Sequence, residues 1–143
     1  LKTQLNRSFH YTGFDISQDM ISHSVSNHAG VENAIWSFKK EDLKHYDYTI
    51  ASGVFNVMQD VSNAAWEAYL FDTLNEINQL STAGFSFNLL TKYSDEDKKK
   101  NYLYYADPCK LFDYCKLKFS KTVALLHDYP LYEFTILVKK NIL

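Results

Sequence analysis

Two apolar, β-branched runs close this sequence, residues 122–127 (TVALLH) and 133–139 (EFTILVK), joined by a short link through Asp128-Tyr129-Pro130. A parallel crossover needs a dozen or more residues, so these two runs must pair antiparallel. Upstream of them, strand-like and helix-like runs alternate, which argues for a mostly parallel α/β sheet covered by helices on both faces. The expected order is strand, helix, strand, strand, helix, strand, helix, strand, strand. The closing hairpin adds one antiparallel strand to that sheet.

Only four Gly and two Pro punctuate the 143 residues, so long elements and short loops are expected. Residues 1–8 read as the tail of a helix. Residues 9–16 (FHYTGFDI) read as a buried strand. Ser17 is placed to cap a helix over residues 19–29, with Met20, Ile21 and Ser24 on one face. Residues 34–38 (AIWSF) suit a second strand, 41–46 a turn, and 48–52 (YTIAS) a third strand that ends at Gly53. Ala65, Tyr69, Leu70, Leu74 and Ile77 recur at helical spacing and predict an amphipathic helix over 62–80. A fourth strand, 85–90 (FSFNLL), follows Gly84, and Asp107-Pro108 marks the start of a helix that runs to Lys118. No repeat, linker or low-complexity tract interrupts the chain. The expectation is a single α/β domain over residues 1–143 whose sheet starts without its first strand, and whose natural amino terminus is missing, since the first residue is Leu1 rather than Met.

Hydrophobic residues make up 46% and charged residues 22%, as in an ordinary soluble globular protein. A net charge of −2 gives no electrostatic case for a nucleic-acid or anionic-membrane partner. Lys98, Lys99 and Lys100 cluster, but Asp95, Glu96 and Asp97 directly precede them, the pattern of a solvated loop or helix start. No apolar run approaches the roughly 18 residues of a membrane span, and no signal peptide is visible. Cys109 and Cys115 match no common zinc or redox spacing and read as reduced thiols of a cytoplasmic protein. The five histidines show no metal-ligand spacing. The 16% aromatic share fits either an aromatic-walled pocket or an aromatic-rich core.

In open α/β sheets ligands bind beyond the carboxyl ends of the strands. Three strand ends here suit a nucleoside. Asp15 ends the first strand in YTGFDIS, where a carboxylate can accept from both hydroxyls of a ribose; its alternative role is to start the following helix. The second strand leads into Lys39, Lys40, Glu41 and Asp42, where an acid could accept from an adenine amino group or could be a solvated turn charge. At the third strand end Ala51, Ser52 and Gly53 are small enough for a ligand to come close to the backbone, and Phe55 and Asn56 add an apolar wall and a polar group. Alternatively Gly53 simply serves a tight strand-to-helix turn.

The segments YTGFDISQDMI, DYTIASGVFN, GFSFNLLTKYSD and LLHDYPLYEFTILVKK, in this order and spacing, resemble class I S-adenosylmethionine-dependent methyltransferases, over nearly the whole chain. The likeness is to stand-alone bacterial enzymes thought to act on small molecules. The resemblance implies S-adenosylmethionine as cofactor, with Asp15 on the ribose, Ile16 and Met20 lining the adenosine side, and Asp42, or Glu41, near the adenine. Ala51, Ser52 and Gly53 would lie beside the methionine part, with Phe55 and Asn56 toward the substrate. One departure stands out. The family's glycine-rich loop precedes the ribose acid by roughly 20 residues, whereas no glycine occurs here before Gly13. The loop would fall upstream of Leu1, so the resemblance implies a truncated chain.

His127, at a strand end beside Asp128, is the candidate base for removing an acceptor proton; its other reading is a residue that closes the hairpin. Tyr102, Tyr104 and Tyr105 could wall a substrate pocket or form one face of an amphipathic helix. Two functions of different class follow: methyl transfer to a small molecule, or a catalytically silent domain that binds or oligomerises through an open sheet edge.

Overall fold

A computed structural model describes residues 9–140, so the helix tail expected at residues 1–8 lies outside the described residues. The chain divides into two compact units, one ending at Lys44 and the other beginning at His45.

The first unit contains β1 (Tyr11–Phe14), α1 (Gln18–Asn27) and β2 (Ala34–Ser37), followed by a single 3-10 turn at Lys40–Asp42. β1 and β2 pair in parallel, Tyr11 opposite Ala34 and Phe14 opposite Ser37. Ser17 caps α1 by accepting from Met20 N at 3.4 Å, and Ile21 is the buried residue of the helix. Gly13 has a packing reason: the Trp36 ring lies where its Cβ would stand. That ring also meets Tyr11 edge-on and stacks on His28. Gly30, at φ +100°, turns the chain from α1 toward β2.

The second unit contains β3 (Tyr46–Ala51), α2 (Asn63–Leu80), β4 (Ser81–Leu90), α3 (Pro108–Lys118), β5 (Thr122–Leu126) and β6 (Glu133–Lys139), with a 3-10 turn at Glu96–Lys98. Its sheet has the order β3-β4-β6-β5. β3 runs parallel to β4, and β6 lies antiparallel to both of its neighbours, which makes it the one reversed strand of this sheet. The mostly parallel sheet with flanking helices and a terminal antiparallel hairpin is therefore present. Its strands form a two-stranded and a four-stranded sheet.

Period-2 burial explains the core of the second unit. Phe85, Phe87 and Leu89 of β4 and Phe134, Ile136 and Val138 of β6 are buried, while the residues between them are more exposed. Leu70, Leu74 and Ile77 of α2 and Leu111 and Cys115 of α3 complete the same cluster. Burying a Leu or Phe side chain of this kind stabilises by roughly 1.5–3 kcal/mol. Both helices start on local caps: Ser62 accepts from Ala65 N, and Asp107 accepts from Cys109 N and Lys110 N with Pro108 in the first turn.

Two expectations are corrected. β4 begins at Ser81, directly after α2, and Gly84 lies inside the strand rather than before it. Val138 O stands 2.6 Å from the position a Cβ would take there, so the neighbouring strand needs the glycine. Tyr102, Tyr104 and Tyr105 do not lie on a helix; they belong to an extended loop between the 3-10 turn and α3.

Candidate functional site

In the first unit the candidate residues gather at the carboxyl ends of β1 and β2. Asp15 N donates to Ser37 O at 3.3 Å, and Asp15 Oδ1 accepts from Ser17 N at 2.8 Å. The carboxylate thus helps turn the chain into α1, and among the described residues Oδ2 has no partner. Beside it, Ile16 and Met20 are 86% and 55% exposed, two apolar surfaces next to a free carboxylate oxygen. Ser37, at the end of β2, donates to Asp42 Oδ2 at 2.5 Å. Ser37 therefore ties the Asp15 backbone and the Asp42 side chain together. Glu41 is exposed in the same 3-10 turn.

In the second unit, Ala51 closes β3 as a buried residue, Ser52 is exposed, and Gly53 turns at φ +71° with no atom within 4 Å of where a Cβ would be. The turn is open to an approaching group and is held from behind. Gly53 N donates to Asn88 Oδ1 at 2.8 Å, and Asn88 Nδ2 donates to Glu133 Oε2 at 2.9 Å. Asn56 Nδ2 reaches Glu133 Oε1 at 3.5 Å, and Asn56 Oδ1 accepts from Leu90 N at 3.1 Å. Both ends of the Asn56 amide are thus engaged within the fold. Phe55 is fully buried, edge-on to Tyr69 and Phe87, and its carbonyl accepts from Trp66 Nε1 at 2.9 Å. In this conformation Phe55 shapes the turn from the core side.

Tyr104 is buried and its hydroxyl donates to Glu67 at 3.3 Å. Burial, and then the Glu67 carboxylate, push that hydroxyl up to about 12. Tyr105 is half-buried, its hydroxyl accepting from Lys100 N at 2.9 Å. His127 is exposed just past β5, its ring 6.0 Å from those of Tyr93 and Phe134. Among the described residues no group of His, Cys, Asp and Glu is arranged to hold a metal ion.

Asn88 and Glu133 were not among the residues singled out in the sequence. The available signal was a polar Asn inside the apolar run FSFNLL, where its only obvious meaning is an interruption.

No family model matches the chain. A protein of Mycobacterium tuberculosis (strain ATCC 25618 / H37Rv) with the name "putative methyltransferase" is 49% identical over 130 residues, covering 91% of this chain and 78% of that protein. Among solved structures, magnesium protoporphyrin IX methyltransferase (ChlM) from Synechocystis PCC 6803 superposes with a TM-score of 0.59 in its form with bound SAM and 0.62 with bound SAH. Identity is 14% and 12%, over 91% of this chain and 59% and 63% of those chains. A structure of the Pnkp1/Rnl/Hen1 RNA repair complex superposes with a TM-score of 0.61 at 12% identity, over 98% of this chain and 33% of that one. The chain thus spans less than two thirds of each of these solved chains, and at such identities the likeness concerns the fold.

Proposed function

The chain belongs to the class I, Rossmann-like S-adenosylmethionine-dependent methyltransferases, and from that premise we propose that it serves methyl transfer from S-adenosylmethionine to a small-molecule acceptor. The observation that carries the reading is the free Oδ2 of Asp15 at the end of a parallel strand, flanked by the exposed Ile16 and Met20. A ribose presents paired hydroxyl donors and an adenine an apolar face, and these side chains match both.

The cofactor's sulfonium supplies an activated methyl group, so the protein has chiefly to orient and to exclude water. Asp15 would hold the ribose, with Ile16 and Met20 against the adenosine and Asp42 near the adenine amino group. Ala51, Ser52 and Gly53 would lie beside the methionine part, where Gly53 leaves the backbone open. On the acceptor side Asn56 and Phe55 would set the turn, and Tyr104 and Tyr105 would form a wall. If the acceptor is a hydroxyl or an amine, His127, exposed at its strand end, would take the proton. A cytoplasmic location belongs to the same reading, in which Cys109 and Cys115 are reduced thiols.

A second reading is favoured by one feature. β3 is an edge strand of the four-stranded sheet, and its Tyr48 and Ile50 are 69% and 75% exposed. Such an edge suits self-association by a catalytically silent domain. Calorimetric titration with S-adenosylmethionine, with Asp15→Ala as control, separates the two. Binding that Asp15→Ala abolishes supports the enzyme. Absence of binding together with a dimer in sedimentation supports the silent module.

A further inference from the structure

In the second unit an open cleft of about 330 Å3 lies between the loop after β3 and the loop before α3. Backbone hydrogen bonds lock those loops together: Met58 N and Gln59 N both donate to Tyr102 O, at 3.0 and 3.1 Å, and Tyr104 N donates to Asn56 O at 2.9 Å. Met58, Leu103 and Tyr104 give the cleft an apolar floor. Its polar lining is made of Lys99 and Lys100, the carboxamides of Asn63 and Asn101, which can donate or accept, and Tyr105. No carboxylate lines it.

The two lysines differ. Lys99 is committed, 2.6 Å from Glu96 and 5.7 Å over the Tyr105 ring. Lys100 has its backbone fixed by the Tyr105 hydroxyl, yet among the described residues its ammonium makes no ion pair. An uncompensated cation on a concave wall, beside carboxamides and an apolar floor, attracts an anion more strongly than the same lysine on a flat surface. We propose that this cleft takes the acidic group of a small acceptor, a carboxylate or a phosphate, with the acceptor's ring or apolar body against Met58, Leu103 and Tyr104. The inference deepens the methyltransferase reading, and rests on it only in treating the ligand as the acceptor.

Isotope-labelled protein titrated with phenyl phosphate, benzoate and the neutral benzamide, followed by amide NMR shifts, tests it. Both acids, or one of them, should shift the signals of Asn63, Lys100, Asn101 and Tyr105, which also identifies the preferred acid. Lys100→Gln should weaken that binding about tenfold or more, as loss of a charged hydrogen bond predicts, while Lys118→Gln leaves it unchanged. Equal binding of benzamide, unchanged affinity in Lys100→Gln, or shifts confined to other regions would overturn the proposal. The same samples titrated with S-adenosylmethionine keep the two ideas apart. Acid binding without cofactor binding supports the subsite while counting against the methyltransferase reading, and cofactor binding without acid binding does the reverse.

Discussion

Asn88 donates to Glu133 at 2.9 Å across 45 residues of sequence, and the same amide accepts from Gly53 N at 2.8 Å. One side chain on β4 thereby couples the start of β6 to the turn after β3. The turn that carries the small residues Ser52 and Gly53 is held in place by a strand neighbour and not by its own sequence.

Replacing Asn88 by Ala leaves the Gly53 N–H without its partner and the Glu133 carboxylate with Asn56 alone. The expected cost is about 1–3 kcal/mol, the range for a lost hydrogen bond that strands a part-buried group. Glu133→Gln, which keeps an acceptor for Asn88, should cost less than Glu133→Ala. Urea denaturation of the three variants measures this, and equal stability of Asn88→Ala and the parent protein would remove the network's structural role.

Gly84 is a tightly constrained backbone position of the sheet, because Val138 O occupies the space of a side chain. The Gly84→Ala variant should lose about 1–3 kcal/mol or more through forced separation of β4 and β6. Gly53→Ala meets no such obstacle and is penalised by its positive φ alone. Thermal melts of both variants should therefore rank Gly84→Ala as the more damaging.

Asp107 and Lys92 give a signed pH dependence. The Lys92 ammonium, 2.7 Å away, and then the backbone N–H groups of Lys110 and Cys109, hold the Asp107 carboxyl below its ordinary 3.8. A lowered carboxyl contributes stability above its unfolded value and loses it as pH falls through the folded one. Lys92 is raised above 10.5 by the Asp107 hydrogen bond, so its share is present below 10.5 and is lost as pH rises through the folded value. Asp107→Asn retains a capping oxygen but no charge. Its stability difference from the parent should be flat between about pH 5 and 9 and should shrink below pH 3.8. A difference that persists unchanged at pH 2 to 3 would contradict this account.

Tyr104 should titrate above the ordinary tyrosine range. With its hydroxyl pushed up to about 12 by burial and by Glu67, it stays neutral at a pH near the ordinary tyrosine value of about 10. Comparing the ultraviolet tyrosinate titration of the parent and Tyr104→Phe isolates its contribution. A loss of signal near pH 10 in the variant would show that the hydroxyl is not held as described.

What the chain disclosed before folding was local. Ser17, Ser62 and Asp107 cap the helices they precede because a cap acts within three residues, and the reversed β6 follows from a link too short for any other pairing. Asp15 stands out for the same reason, as an acid at the end of a legible strand. Tertiary structure alone decided the rest. It put Gly84 inside a strand, sent Phe55 into the core, tied up both ends of Asn56, and set Lys100 in the lining of a cleft with Met58 and Asn63. Each of those outcomes depends on atoms from segments far away in sequence. Caps and links act along the chain, whereas burial, close approach and charge pairing act across it, and only folding chooses which distant residues meet.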